Sequence, residues 1–96
     1  MFPRAGDAVL LAGELDLAVD PALRESVHAA LAERGSNVVI LDLAGVSFMD
    51  AHALGTLLEL HDEARAAGRD LHLRNVPAPV RRLLHLTGCT SLTVDG

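Results

Sequence analysis

The chain has no lysine, tryptophan or tyrosine, and its 96 residues include one cysteine and two phenylalanines. Each shortage removes a class of chemistry. Without lysine there is no P-loop ammonium, no Schiff-base amine and no cation of the kind that serves a phosphorylated receiver aspartate. With only Phe2 and Phe48 as aromatic rings, no platform exists for stacking nucleic-acid bases, and the core has to be aliphatic. Cys89 is alone, so an internal disulfide is excluded and a reducing, cytoplasmic location is expected. The longest unbroken apolar run, the five residues Ala8–Ala12, falls far short of the roughly 20 residues of a membrane helix. The opening MFPRAGDAVLLAG has neither the charged start nor the apolar stretch of roughly 7–15 residues that marks a signal peptide.

What is present is an acidic, aliphatic chain. Eight arginines face thirteen carboxylates, for a net charge of −5, which argues against nucleic acid or an anionic membrane as partner. A chain of this length reads as one domain over residues 1–96, burying roughly 60–70% of its unfolded surface without help from a metal or disulfide.

Apolar periodicity alternates between strand and helix. Ala8–Ala12 is an apolar run closed by Gly13. Asp20 is placed to cap a helix with Pro21 in its first turn and Gly35 at its stop; Leu23, Val27, Ala30 and Leu31 form its apolar stripe. NVVILDL has the continuous β-branched and leucine character of a buried central strand. AGVSFMD then reads as a turn, followed by a helix from Asp50 to about Ala67 and a stop at Gly68. DLHLRNV alternates as a strand should, PAPVRRLLHLTG is a third helix, and SLTV a last strand. The order β-α-β-α-β-α-β predicts an α/β domain with a largely parallel sheet.

Few residues offer chemistry. Asp42 and Asp50 bracket the end of the central strand, where open α/β sheets bind ligands, but the simpler reading makes Asp50 a helix cap and Asp42 a turn residue. The five histidines are dispersed, with no metal-ligand spacing; no metal or other cofactor is expected. His61 reads as a helix-face residue, and Cys89, four residues after His85, as a small buried hydrophobe. Glu14 and Asp16 read as exposed loop charges. No glycine-rich phosphate loop occurs. The residues describe a binding module, not an enzyme.

GELDLAVDPAL, then VVILDLAGVSFMD with ALGTLLEL, then GRDLHLRNVPAPVRRLLHLTG together resemble the STAS family, shared by anti-sigma-factor antagonists and the tails of sulfate transporters. The resemblance runs from about Gly13 to Leu92, in order. It implies a mixed β-sheet with helices mainly on one face, a bacterial source in keeping with the Ala, Arg and Leu richness, and partner switching in transcription regulation. In such members an anti-sigma factor with kinase activity binds the unphosphorylated domain. It then phosphorylates a Ser or Thr at the start of the second helix, in a string typically reading Met-Asp-Ser-Ser-Gly-Leu-Gly. Here Met49, Asp50, Leu54 and Gly55 keep that string, while Ala51, His52 and Ala53 depart from it. Ala51 stands at the phosphoacceptor position and has no hydroxyl to phosphorylate. Ser47 and Thr56 are the nearest hydroxyls, and neither occupies that position. His52 reads as a first-turn surface residue able to tune a contact near its ordinary pKa of about 6.5. The resemblance also implies a further helix after the last strand, and the sequence stops at Gly96.

The expected function is therefore protein interaction with an anti-sigma factor or related regulator, not switched by phosphate at Ala51. The expected contact surface is Ser47, Phe48, Met49, Asp50, Ala51, His52, Ala53, Leu54 and Gly55 with Glu14 and Asp16 alongside. Phe48, Met49 and Leu54 are its candidate apolar anchors. Two alternatives stand beside it: a STAS domain that senses a nucleotide or other small molecule at the Asp42–Asp50 edge, and an accessory subunit of a transporter complex.

Overall fold

In the computed structural model, residues 2–33, 35, 37–88 and 92–95 are described. A two-residue strand β1 (Arg4–Ala5) turns through Gly6, at φ +58°, into β2 (Ala8–Leu15). A single 3-10 turn (Leu17–Val19) leads into α1 (Asp20–Ala32). β3 (Val38–Met49), α2 (Ala51–Ala66), β4 (Asp70–Arg74), α3 (Ala78–Leu86) and β5 (Thr93–Asp95) complete the order. The sheet runs β1-β2-β3-β4-β5, with β1 antiparallel to β2 and every later pair parallel. This is a mixed sheet in an α/β fold.

Each parallel pair is bridged by one helix, and the strands advance in one direction across the sheet. Right-handed crossovers of that kind place their helices on the same face. Alternation along the strands agrees. Val9, Leu11, Leu41, Leu43, Leu71 and Leu73 are almost completely buried, in one cluster with Leu23, Val27, Leu57, Leu60, Val80 and Leu84 from the helices. The residues between them, Leu10, Ile40, Asp42, His72 and Arg74, are half-buried on the other face. No helix among the described residues is long and apolar enough to cross a membrane.

Three sequence expectations about these elements need correction. AGVSFMD is not a turn, because β3 continues through it to Met49 and pairs with β2 as far as Leu15↔Met49. Buried positions there fall at Leu43, Val46 and Met49, three apart, with two exposed residues between each. The register slips between Leu10 and Ala12 and again between Gly13 and Glu14, and such irregularities re-aim side chains at a strand's end. Gly13 sits at φ +79°, and a Cβ on Gly45 would come within 3.1 Å of the Ala12 Cβ. Gly13 supplies the left-handed backbone of the slip, and Gly45 lets β2 stay close to β3.

Asp20 is not the cap of its helix either. Val19 holds the cap position and Asp20 is the first helical residue, its carboxylate turned to α2. The expected stop at Gly35 also shifts, since α1 ends at Ala32 with Glu33 as its cap. Asp50 does cap α2, accepting a hydrogen bond from the Ala53 N–H at 2.8 Å. Gly68, at φ +75°, closes α2 with the Arg69 N–H on the Ala64 carbonyl, a left-handed helix end. His61 is buried, at 7% exposure, and its Nδ1 has no hydrogen-bond partner. Cys89 lies outside the described residues, as does Ser91 of the expected last strand.

Candidate functional site

At the carboxyl end of β2 and β3 the chain exposes most of what the sequence singled out. Ser47 and Phe48 are exposed in the irregular end of β3, where Phe48 pairs in register with the exposed Glu14. Asp16 ends β2's approach by accepting the Ala18 N–H at 3.0 Å, so it caps the 3-10 turn rather than hanging free in a loop. Leu17, next in sequence, is 66% exposed and Phe48 49%. Ala51 and His52 are exposed in the first turn of α2, and Gly55 is half-buried. Met49, Ala53 and Leu54 face inward at 6%, 2% and 5% exposure. Of the three expected apolar anchors, then, only Phe48 reaches solvent. Met49 and Leu54 are core residues that hold the surface in place, and so is Ala53. Leu17, which sequence reasoning passed over, is exposed two residues after Leu15, the register partner of Met49.

Behind this surface lies a polar seam between α1 and α2. Asp20 is its hub. Its Oδ1 accepts from the Thr56 hydroxyl at 2.5 Å and lies 3.1 Å from His52 Nε2, while Oδ2 accepts from Arg24 Nε at 2.7 Å. Arg24 Nη2 reaches Glu59 at 2.8 Å, and His28 Nε2 reaches Glu63 at 2.7 Å one turn further on. Thr56 is 1% exposed and its hydroxyl is spent on Asp20, which leaves Ser47 as the exposed hydroxyl of the two named from sequence. The seam fixes the start of α2 relative to α1. No motif announced it: the partners lie 32 and 36 residues apart, and only an Asp-Pro pair, read as a cap, marked one end.

The Thr56 hydroxyl, then Arg24, then His52 hold the Asp20 carboxyl down to about 2 against the opposing effect of burial. The sign is that of a depressed acid. Its stabilisation is complete above the unfolded value of about 3.9 and is lost as the pH falls from there through about 2. Asp20→Asn is therefore expected to lower stability at neutral pH and to flatten the fall in stability between those values. Denaturant titrations across that range measure it, and an acid limb as steep as the parent's would exclude Asp20 as the group responsible.

Asp42 and Asp50 each have partners of their own. Asp50 is occupied as a cap. Asp42 lies inside β3, not in a turn, on the helix-free face; it accepts from the Ala44 N–H at 2.9 Å, Arg74 Nη2 at 2.9 Å and Asn75 Nδ2 at 3.2 Å. The Ala44 bond first, then Arg74 and Asn75, lower its pKa. A carboxylate so satisfied has little left to offer a ligand. A cavity of about 40 Å³, lined by Arg4, Asp7, Glu33 and Arg69 among others, opens at the amino end of the strands, away from both aspartates. Among the described residues no group of three or more metal-ligating side chains occurs.

The chain is similar to known proteins in sequence and in fold. The sequence model of the STAS domain matches residues 5–93. The anti-sigma F factor antagonist of Paenibacillus polymyxa is 31% identical over 80 residues, which span 83% of this chain and 68% of that protein. The anti-sigma-B factor antagonist of Staphylococcus epidermidis is 31% identical over 84 residues, 88% of this chain and 77% of that one. Among solved structures, a putative anti-sigma factor antagonist from Thermotoga maritima superposes with a TM-score of 0.77 at 22% identity, covering 100% of this chain and 86% of its own. Unphosphorylated SpoIIAA, an anti-sigma factor antagonist, gives 0.73 at 23% identity, over 93% and 78%. At such identities the two superpositions speak for the fold.

Proposed function

This chain belongs to the STAS domain family, and from that premise we propose that it is an anti-sigma-factor antagonist of the bacterial cytoplasm, a regulator that acts by binding and not by catalysis. Its relatives of 31% identity carry that description. The occupant of its surface is an anti-sigma factor, held by the end of β3 and the start of α2, with Phe48 and Leu17 as apolar contacts and Glu14 and Asp16 beside them.

The observation that carries the regulatory half of the reading is Ala51. It is exposed in the first turn of α2, where free N–H groups and the positive end of the helix dipole would favour a phosphate, and it has no hydroxyl. Thr56 is buried and Ser47 sits on a strand, so neither substitutes at the helix start. Binding is accordingly constitutive, set by the amounts of the two proteins.

Calorimetric titration with an anti-sigma factor of the host, with and without ATP, tests both halves. The expected result is one affinity under both conditions and no gain of a phosphoryl group in the mass spectrum of the recovered chain. ATP-dependent release with phosphate on Ser47 would remove the constitutive reading. No binding under either condition would remove the antagonist assignment.

A further inference from the structure

The start of α2 reads Ala51-His52-Ala53-Leu54-Gly55, so His52 is the one polar side chain of its first turn. Ala53 and Leu54 face the core, while the His52 side chain is 45% exposed. A partner that makes a side-chain hydrogen bond to this turn has to make it to His52. The ring is also held in place. Its Nε2 lies 3.1 Å from Asp20 Oδ1 on α1, the same oxygen that accepts from the Thr56 hydroxyl one turn further along α2. Arg24 binds the other oxygen, Oδ2, at 2.7 Å and is paired in turn with Glu59. Asp20 is 16% exposed and fixed from both sides, so it cannot follow the ring if the ring turns away.

The bond to Asp20 decides which nitrogen of His52 carries the proton. The Asp20 carboxyl is held down to about 2, so at neutral pH it is a carboxylate, which can only accept. The proton in the bond therefore belongs to His52 Nε2. In its neutral form an imidazole has one N–H, and the bond that one nitrogen makes sets the role of the other. Nδ1 is left with a lone pair, and it has no hydrogen-bond partner among the described residues.

We propose that His52 is a specificity-determining residue of the partner surface: positioned by Asp20, it offers Nδ1 as the acceptor for a hydrogen-bond donor of the anti-sigma factor. The inference rests on the antagonist reading above and adds the chemistry of one contact to it. A serine hydroxyl, which the family string carries at this position, answers either a donor or an acceptor. The fixed ring answers a donor alone. A partner with a carbonyl or carboxylate at that point would set lone pair against lone pair, which discriminates against it. A ring already held by Asp20 also loses less conformational freedom on binding than a free one would.

Two measurements test this, the first on the chain alone. At about pH 8, where a free imidazole is neutral, long-range proton–nitrogen correlation spectra should show His52 Nε2 protonated and Nδ1 bare, the signals being assigned by their loss in His52→Asn. Asp20→Asn removes the charge and should turn that single pattern into a mixture of tautomers. A proton on Nδ1 in the parent, or a pattern that Asp20→Asn leaves unchanged, would overturn the proposal. The second measurement is calorimetry with the anti-sigma factor. His52→Ala should bind about tenfold more weakly than the parent, the scale of one hydrogen bond. His52→Gln should fall as far, because its amide reaches toward Asp20 and leaves no acceptor at the Nδ1 position. His52→Asn, whose amide oxygen falls near that position, should bind close to the parent. If His52→Asn bound as weakly as His52→Ala, or if all three variants bound like the parent, the proposal would fall and the antagonist reading would stand. A parent that binds no anti-sigma factor removes that reading and this inference with it.

Discussion

Leu41→Ala is expected to cost about 2–5 kcal/mol of folding stability, a large part of the roughly 5–15 kcal/mol that holds a domain of this kind together. Leu41 is 0% exposed in the first half of β3, in register with Val9 on one side and Leu73 on the other. Both neighbours are 0% exposed as well, so the deleted methyls leave a gap inside a complete layer of side chains. The ladder on both sides holds the backbone, which limits how far the gap can collapse. A urea titration should show the midpoint falling with little change of slope, since the same surface is still exposed on unfolding. A loss below about 1 kcal/mol would mean that the helix layer relaxes into the gap. The effect reaches function only through the folded population, because Leu41 is several residues below the exposed end of β3.

The elements with local signals were legible. Asp50 before an apolar-periodic stretch and Gly68 after it bound α2 within a residue of where it lies, since cap and stop are both local devices. β1 was not, because two residues carry no period and the hairpin depends on its pairing with Ala8 and Val9. The end of β3 was misread for a related reason. Alternation fails when buried residues fall three apart, and the pair of exposed residues at Ala44 and Gly45 looks like a turn until β2 is seen running beside it. Asp20 shows the limit most clearly. Its Asp-Pro context is a strong helix-start signal, while the groups that claim its carboxylate, Thr56 and His52, are distant in sequence. At the candidate site Ala51 gained meaning only through resemblance to the family string. Which of Phe48 and Met49 faces water depended on the strand slip that the sequence does not display.

Phe48→Ala is expected to weaken binding to the anti-sigma factor by about 30-fold, the equivalent of about 2 kcal/mol for an aromatic anchor at the centre of an interface, and to change stability by about 1 kcal/mol or less. Leu54→Ala should behave in the opposite way. At 5% exposure in the core its truncation costs about 2–5 kcal/mol of folding stability, while the affinity of the molecules that remain folded stays near that of the parent. Parallel calorimetry and urea denaturation on the two variants separate contact from support, which a binding measurement alone cannot do. The comparison is sharp because the two residues are six apart in the chain and belong to the same strand-to-helix passage. If Phe48→Ala bound as tightly as the parent, the exposed end of β3 would lose its place in the interface. The contact would then have to be made by the first turn of α2, where Ala51 and His52 are exposed and the Asp20 seam holds the helix start in position.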